Sequence, residues 1–186
     1  QYQGNPGTVG ISVSSEHKGS AQCDYLSGSR VFARKTSTGV VDNCYGSYVH
    51  VRNENATGAI NTAYAIYSEF LVGAAVLLDN GKIVCGNNQE NAAYPSGMCA
   101  ERVAVWAAIS QNPDALIKKI FISARSIKHK VSEPVSPCGS CRQTIAEYEF
   151  RQKSPIAVYF TGETGKIIKA KALIDLLPFA FNNTLL

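Results

Sequence analysis

The sequence has little that would hold it in a membrane or against nucleic acid. No stretch approaches the ~18 consecutive apolar residues that indicate a membrane span. The net charge is only +4 over 186 residues, and the Lys and Arg residues are scattered, without a basic stripe interleaved with aromatic residues. We therefore expect neither a membrane nor a nucleic acid as a partner.

Histidine and tryptophan are also scarce. None of the 3 histidines, His17, His50 and His129, lies in a metal-binding motif. Trp106 is the single tryptophan, and its apolar neighbours predict that it lies on a buried helix face. A metal site in this chain must therefore draw its ligands from residues other than histidine.

Cysteine supplies such ligands in two short motifs, Cys99-Ala100-Glu101-Arg102 and Pro137-Cys138-Gly139-Ser140-Cys141. Zinc takes four ligands, and where a protein supplies only three, the fourth position holds a water whose pKa falls to roughly 7. The motifs therefore predict Zn²⁺ on the three thiols. Glu101 is left free of the metal, as the catalytic residue that moves protons.

Both motifs lead into runs typical of helices, residues 100–111 and 138–149. Cys138 and Cys141 are i, i+3 neighbours on one helical face. The positive end of a helix lowers the pKa of a nearby thiol and so favours the thiolate that a metal binds. Three thiolates on Zn²⁺ leave a charge of about −1, and Arg102 is placed to offset it by donating to the sulfurs. A CxxC pair alone also fits a redox pair or half of a structural zinc knuckle.

The chain resembles the cytidine deaminases over residues 63–181, specifically the three-cysteine type. Cys here replaces the His of the general zinc deaminase signature. Five blocks in family order carry the resemblance: Tyr67-Ser68-Glu69-Phe70-Leu71-Val72-Gly73-Ala74-Ala75, Asn88-Gln89-Glu90-Asn91-Ala92-Ala93-Tyr94-Pro95, Cys99-Ala100-Glu101-Arg102, Ser136-Pro137-Cys138-Gly139-Ser140-Cys141-Arg142-Gln143 and Leu176-Leu177-Pro178-Phe179-Ala180-Phe181.

The resemblance implies zinc-dependent hydrolysis of cytidine and deoxycytidine to their uridine counterparts, with release of ammonia, in pyrimidine salvage. It also implies roles in binding this nucleoside substrate. Asn88 and Glu90 would bind the ribose hydroxyls, and Phe70 and Phe181 would pack against the pyrimidine. The Ala100 amide and the Ser136 carbonyl would contact the base. Family members of this type are homotetramers, in which the C-terminal aromatic residue comes from a neighbouring subunit.

Outside these blocks the same residues have simpler interpretations. An isolated Phe is usually a core residue, and an Asn that follows a strand usually lies in a turn. One position departs from the family pattern: Leu71 stands where the family usually has Pro, so this loop lacks a fixed φ angle.

The order of elements predicts an α/β fold of three layers with a five-stranded mixed sheet. The Asn80-Gly81 pair indicates a β-hairpin. The predicted strands cover residues 71–78, 82–86, 119–124, 156–160 and 167–170. Besides the two cysteine helices, we expect a first helix over residues 56–68 and a last helix that ends at Pro178.

Residues 1–55 lie outside this scheme as a β-rich or irregular N-terminal segment of unknown role, followed by a catalytic domain over residues 56–186. Cys23 and Cys44 either stay free or pair across a ~20-residue loop. Asn55 and Asn182 begin glycosylation sequons. These features suggest secretion, whereas three metal thiolates and a nucleoside substrate suggest the reducing cytoplasm. The chain begins with Gln and shows no apolar signal segment, and we expect a cytoplasmic protein.

Three other functions remain open. A blasticidin-type deaminase of nucleoside analogues would share both cysteine motifs, although Asn88 and Glu90 favour an unmodified ribose. A nucleic-acid-editing deaminase should show a His ligand and a basic channel. A non-catalytic, zinc-stabilised binding protein would need a fourth ligand, for which Cys85 is the nearby spare thiol.

Overall fold

The structure, a computed structural model, describes residues 55–182. The expectations for the N-terminal segment, including the fate of Cys23 and Cys44, lie outside these residues. No helix in the described part of the chain is both long and apolar enough to cross a membrane.

A mixed sheet of five strands forms the centre of the described region, as predicted. The strands are β1 (Phe70–Leu78), β2 (Ile83–Asn87), β3 (Ile117–Ser126), β4 (Ala157–Thr161) and β5 (Ile168–Ala170), in the spatial order β2-β1-β3-β4-β5. Only the β3–β4 pair is parallel, and the other neighbours are antiparallel. The β1–β2 hairpin turns at Gly81, whose φ of 81° lies in the left-handed region that favours glycine.

Two helices cover one face of the sheet. They are α2 (Ala100–Gln111) and α3 (Gly139–Gln152). A shorter helix, α1, precedes them in the chain and covers residues 55–60. The core between them and the sheet is aliphatic and includes Val76, Ile120, Val158, Val105 and Ile145. Because side chains alternate across a strand, residues of β1 at even numbers face this core and those at odd numbers face the opposite layer.

The opposite layer is occupied by α1. A Cβ on Gly73 of β1 would lie 1.9 Å from the carbonyl oxygen of Ala56, so α1 rests directly on the strand there. The Thr57 hydroxyl donates to the Ser123 hydroxyl at 3.3 Å, which ties α1 to β3 as well. The predicted three-layer α/β arrangement is therefore confirmed.

The first helix is shorter than predicted. It ends at residue 60 instead of 68, because the chain turns there to pair with the segment after β2. The Asn87 amide donates to the Ala59 carbonyl at 3.0 Å, and the backbone of Tyr64 bonds Asn88 and Glu90. These non-local hydrogen bonds use backbone groups that a longer helix would need.

The predicted last helix is also wrong. In its place the described part of this C-terminal segment forms a 3₁₀ turn, Leu173–Asp175. The Glu149 carboxylate of α3 accepts from the amides of Leu173 and Ile174 at 2.7 and 3.1 Å, which satisfies the start of the turn. Pro178 disfavours helical backbone at Leu177 and so limits its continuation.

Trp106 is 42% exposed, which contradicts its expected burial. The buried residues of α2 are Ala100, Glu101, Ala104, Val105 and Ala108. Trp106 lies beside this face, next to Arg102 one turn earlier. The uniformly apolar sequence around it left no periodicity from which the buried face could be predicted.

Gly86 of β2 allows α2 to lie close to the sheet. A Cβ at this position would lie 2.5 Å from the Ala104 amide nitrogen and 2.9 Å from the Ala100 carbonyl oxygen. Both neighbours are backbone atoms within the helix, so the contact cannot be relieved by moving a side chain. Gly86 therefore fixes the depth at which the first turn of α2, including Glu101, sits.

Replacing Gly86 by Ala should lower the free energy of unfolding by about 1–3 kcal/mol, because the helix must move off the strand. Gly58→Ala is the matched control: no atom lies within 4 Å of its added Cβ, and the residue is helical. It should leave stability unchanged or raise it by about 0.5–1 kcal/mol. Denaturant unfolding of both variants provides the comparison, and a Gly86→Ala protein as stable as its parent would contradict the close approach.

Candidate metal centre and active site

Cys99 and Cys138 occupy the same structural position, the N-cap of a helix. Each has an extended backbone, with φ/ψ of −74°/150° at Cys99 and −68°/168° at Cys138. Their carbonyls accept the first hydrogen bonds of α2 and α3, from Val103 at 3.2 Å and Arg142 at 2.9 Å. Neither side chain caps its own helix, so both thiols remain available as ligands.

The three motif cysteines converge as the sequence predicts. Cys138 Sγ lies 3.8 Å from Cys99 Sγ and 3.4 Å from Cys141 Sγ, and all three sulfurs lie within 4.8 Å of one another. Within residues 55–182, this is the group of His, Cys, Asp and Glu side chains whose ligand atoms are close enough to hold a metal ion. Cys141 is buried, whereas Cys138 is exposed, so the cluster opens on the Cys138 side.

The thiols share their protons unequally. Hydrogen bonds from the Cys141 thiol and from Arg102 lower the pKa of the Cys99 thiol to about 5, despite the opposing effect of burial. Donation to Cys99, together with burial, raises the pKa of Cys141. The thiolate form is therefore favoured at Cys99 and disfavoured at Cys141.

Arg102 lies against this cluster. Its Nη2 donates to Cys99 Sγ at 3.6 Å, and its guanidinium carbon lies 5.9 Å from the centre of the Trp106 ring. A cation over an aromatic face is attracted by the ring's electron density. The partly exposed Trp106 therefore holds the guanidinium in place beside the sulfurs.

Glu101 is buried, with 5% of its surface exposed, although it carries a carboxyl group. Burial raises its pKa, and the negative charge of Cys99 adds to the effect. Its carboxylate is not a member of the three-sulfur group. A carboxyl group with a raised pKa next to a metal centre can both accept and donate a proton near neutral pH.

Cys85 does not join the cluster. It lies on β2, its Sγ is 3.9 Å from the Asn55 carbonyl oxygen, and burial raises the pKa of its thiol. No fourth cysteine from the described part of the chain therefore completes a closed four-sulfur site.

The structure places Asn88 and Glu90 just after β2, each bonded to the chain around the start of β1. The Asn88 amide donates to the Phe70 carbonyl at 2.8 Å and accepts from the Val72 amide at 2.8 Å. The Glu90 carboxylate accepts from the amides of Tyr67 and Ser68 at 2.8 and 3.2 Å and from the Ser68 hydroxyl. Asn88 retains one donor hydrogen and one lone pair, and Glu90 retains acceptor capacity, for a ligand.

The other predicted site residues lie on four separate elements. Phe70 is the half-buried first residue of β1, and Ala100 is fully buried at the start of α2. Ser136 precedes α3, and its hydroxyl accepts from Arg142 Nη2 at 3.0 Å. Phe181, near the end of the described chain, is 56% exposed.

Three residues with a structural part in this region had no predicted role: Ser68, Arg142 and Gln143. Ser68 bonds Glu90, Arg142 bonds the Ser136–Pro137 loop, and Gln143 bonds the backbone of Phe181. Each lies in one of the five sequence blocks. Block membership was the available signal, but it could not reveal partners distant in sequence.

Comparison with known proteins gives a consistent result. The family model for the cytidine and deoxycytidylate deaminase zinc-binding region matches residues 52–156, which include both cysteine motifs. A cytidine deaminase of Sporosarcina psychrophila is 40% identical over 120 residues, 64% of this chain and 81% of the relative. A cytidine deaminase of Halalkalibacterium halodurans is 36% identical over 128 residues, which are 69% of this chain and 89% of the relative. The crystal structure of cytidine deaminase from Burkholderia pseudomallei aligns with a TM-score of 0.62 and 35% identity, covering 71% of this chain and 98% of that one.

The Ser68–Glu90 contact generates a pH-dependent prediction. Burial would raise the pKa of Glu90, but hydrogen bonds from Ser68 and Tyr67 outweigh it and lower the pKa. The stability from these bonds is therefore present above the unfolded pKa and is lost as pH falls through the folded one. Ser68→Ala should cost about 1 kcal/mol at pH 7 and less at pH 3.5.

Unfolding free energies of parent and variant at the two pH values test this prediction. Ser110→Ala is the control, because its hydroxyl donates to the Ala107 carbonyl within α2 and involves no ionisable group. A Ser68→Ala penalty that does not change with pH would show that Glu90 is not its partner.

Proposed function

This chain is an enzyme of the cytidine deaminase family, and on that premise we propose that it hydrolyses cytidine and deoxycytidine to uridine and deoxyuridine, releasing ammonia in pyrimidine salvage, with zinc as its metal. The observation that carries the proposal is the three-sulfur group with a buried, non-ligating Glu101 beside it. A free carboxyl group at an open three-ligand site is what hydrolysis requires and what a purely structural site does not need.

The three sulfurs fit zinc in kind and in spacing. Tetrahedral zinc with Zn–S bonds of about 2.3 Å places its sulfurs about 3.8 Å apart. The observed separations of 3.8 and 3.4 Å are close to that value. Cys99, Cys138 and Cys141 would hold the ion, and the two helix N-termini favour their thiolate forms.

Bound zinc would supply Lewis acidity, which makes a water acidic near neutral pH and stabilises negative charge on oxygen. Glu101 performs the proton transfers. It accepts a proton from the attacking water as the oxygen adds to C4 of the pyrimidine, and it protonates ring N3. It then takes the second proton from the hydroxyl now bonded to C4 and delivers it to the departing amine as the C4–N bond breaks and the C4 carbonyl forms, so that cytidine and water become uridine and ammonia. The raised pKa of Glu101 suits a group that must hold and release protons in turn.

Arg102 balances the charge of the thiolates. Its hydrogen bond to Cys99 withdraws electron density from one sulfur, and its positive charge offsets the net negative charge of a Cys₃ zinc site. The Trp106 ring behind it limits the positions that the guanidinium can take.

We assign the substrate pocket to residues on separate elements of the fold. Asn88 and Glu90 bind the ribose hydroxyls with their remaining hydrogen-bonding capacity. Phe70 packs on the pyrimidine ring. The Ala100 amide at the N-terminus of α2 and the Ser136 carbonyl bind the base edge. Recognition of both ribose and base selects a nucleoside over free cytosine.

Phe181 completes the pocket from a neighbouring subunit of a homotetramer. Exposure of 56% at Phe181 and 96% at Phe179 supports this role, because two aromatic residues on one short segment leave apolar surface for a partner to cover. Tyr94, 76% exposed, adds to the apolar surface available for assembly.

We place the protein in the cytoplasm, where reducing conditions keep the three zinc ligands as thiols. Catalysis belongs to a domain over residues 56–186, since the residues assigned to chemistry lie between Phe70 and Phe181. Residues 1–55 form a separate segment that the reaction does not need. A chain that begins near Glu54 should therefore retain the parent's rate constant.

An ammonia-release assay with cytidine, deoxycytidine, cytosine, blasticidin S and a cytosine-containing oligonucleotide tests the proposed substrate class. The two nucleosides should react, and the other three compounds should not. Glu101→Gln should lower kcat by ~10²- to 10⁴-fold, since the general acid and base is lost, yet it should keep the metal.

Glu147→Gln on the exposed face of α3 is the matched control and should behave as the parent does. Loss of zinc from Glu101→Gln, or turnover within a few fold of the parent, would remove Glu101 from its proposed role. Reaction on blasticidin S alone would support the analogue deaminase, and reaction on the oligonucleotide alone would support an editing enzyme.

Mixed oligomers test whether Phe181 acts across subunits. Glu101→Gln chains have an inactive pocket and an intact ring, whereas Phe181→Ala chains have an intact Glu101 and no ring. Co-expression should restore a population of pockets with the parent's KM, because a pocket that contains Glu101 of a Phe181→Ala chain can receive the Phe181 ring of a Glu101→Gln chain. Phe181→Ala chains mixed with the Glu101→Gln/Phe181→Ala double variant should show no rescue, and the absence of rescue in both mixtures would place the ring in its own subunit's pocket.

A further inference from the structure

The two residues after Cys141 connect the metal-binding helix to parts of the chain on either side of it. The Arg142 guanidinium donates to three acceptors: the Pro137 carbonyl at 2.9 Å, the Ser136 hydroxyl at 3.0 Å and the Leu176 carbonyl at 2.9 Å. Two of these acceptors lie in the loop before Cys138, and the third lies in the C-terminal segment. The planar guanidinium presents its donors in a fixed arrangement, so it sets the distance between the two segments.

Gln143 holds the same C-terminal segment further along. Its Nε2 donates to the Phe181 carbonyl at 2.7 Å, and its Oε1 accepts from the Phe181 amide at 3.3 Å. Both backbone groups of Phe181 are therefore bonded to one side chain. Only a side-chain amide has a donor and an acceptor in the required positions, so neither a carboxylate nor an apolar side chain could replace it.

These contacts fix the backbone of Phe181 while its ring remains free of the core. Leu176, Leu177 and Ala180 pack against the core, whereas Phe181 is 56% exposed. The segment is held at the Leu176 carbonyl and at both backbone groups of Phe181, so the position from which the Phe181 side chain projects is fixed. Ordering the Phe181 backbone has a conformational entropy cost, which contacts between the ring and a binding partner would offset.

We propose that Gln143, supported by Arg142, is a positioning residue that sets the Phe181 ring for contact with the pyrimidine of the substrate. This inference rests on the proposed function of Phe181 and adds the group through which that ring is placed. Gln143 touches the backbone of Phe181 and not the substrate. It therefore acts on substrate binding and leaves the chemical step unchanged.

Gln143→Glu is the most direct test in the full-length protein. At pH 8 the introduced carboxylate still accepts from the Phe181 amide but repels its carbonyl, so KM for cytidine should rise about three- to tenfold, with kcat within about twofold of the parent. A general folding defect would lower the apparent kcat and leave KM unchanged, whereas a positioning role raises KM at a nearly constant kcat.

Hydrogen exchange supplies a readout that does not depend on activity. The Phe181 amide should exchange faster in Gln143→Glu than in the parent at pH 8, while amides of α2 keep their protection. Thr144→Ala is the matched control, because that hydroxyl donates only to the Ser140 carbonyl within α3. It should change neither the exchange of Phe181 nor KM, and Gln143→Ala should reproduce the loss of protection.

A double-variant cycle separates this inference from the proposed function. Phe181→Ala should raise KM, and adding Gln143→Glu to it should have no further effect, because Gln143 acts through that ring. If Phe181→Ala raises KM but Gln143→Glu changes neither KM nor exchange, the positioning role is overturned and the proposed pocket stands. If Phe181→Ala leaves KM unchanged, the contact with the pyrimidine and the positioning role both fail. Additive effects of the two substitutions on KM would also overturn the inference.

Discussion

Three sulfurs held within 4.8 Å of one another are the constraint on which the rest of this structure depends. Two of them sit at the N-caps of separate helices, so α2 and α3 must begin at the same point in space, side by side on one face of the sheet. Bringing three thiols together without a cation is unfavourable once more than one is ionised, as the opposite pKa shifts of Cys99 and Cys141 show. The fold therefore gathers three sulfurs into a group that could hold a cation.

The packing beneath the cluster supplies its rigidity. Gly86 lets the backbone of α2 contact β2, and the aliphatic core holds both helices to the same sheet. Glu101 is buried within the same first turn as its neighbour Cys99, so its carboxylate is placed by helix geometry instead of by a flexible loop. Glu90 and Phe181 are placed differently, through hydrogen bonds between segments far apart in sequence. Glu90 is held to the Ser68 loop, and the Phe181 backbone to Gln143.

Sequence patterns predicted the parts of the molecule that depend on local chemistry. The bounds of α2 and the β1–β2 hairpin follow from the cysteine motif and from the Asn80-Gly81 turn, and the convergence of the three thiols follows from metal-ligand spacing. Where non-local hydrogen bonds decide the outcome, the sequence was insufficient. The first helix stops early because Asn87 takes the Ala59 carbonyl, and the exposure of Trp106 depends on which face of an apolar helix meets the sheet. The roles of Arg142 and Gln143 required their partners to be seen.

The central claim is an open metal site with three protein ligands and a separate proton carrier. X-ray absorption at the zinc edge of the purified full-length protein tests it most directly. The account predicts about one zinc per chain, with three sulfurs at about 2.3 Å and one lighter atom at about 2.0 Å. Four sulfurs around the zinc would contradict it, since a closed site leaves no position for water, and so would a fully active protein that contains no zinc.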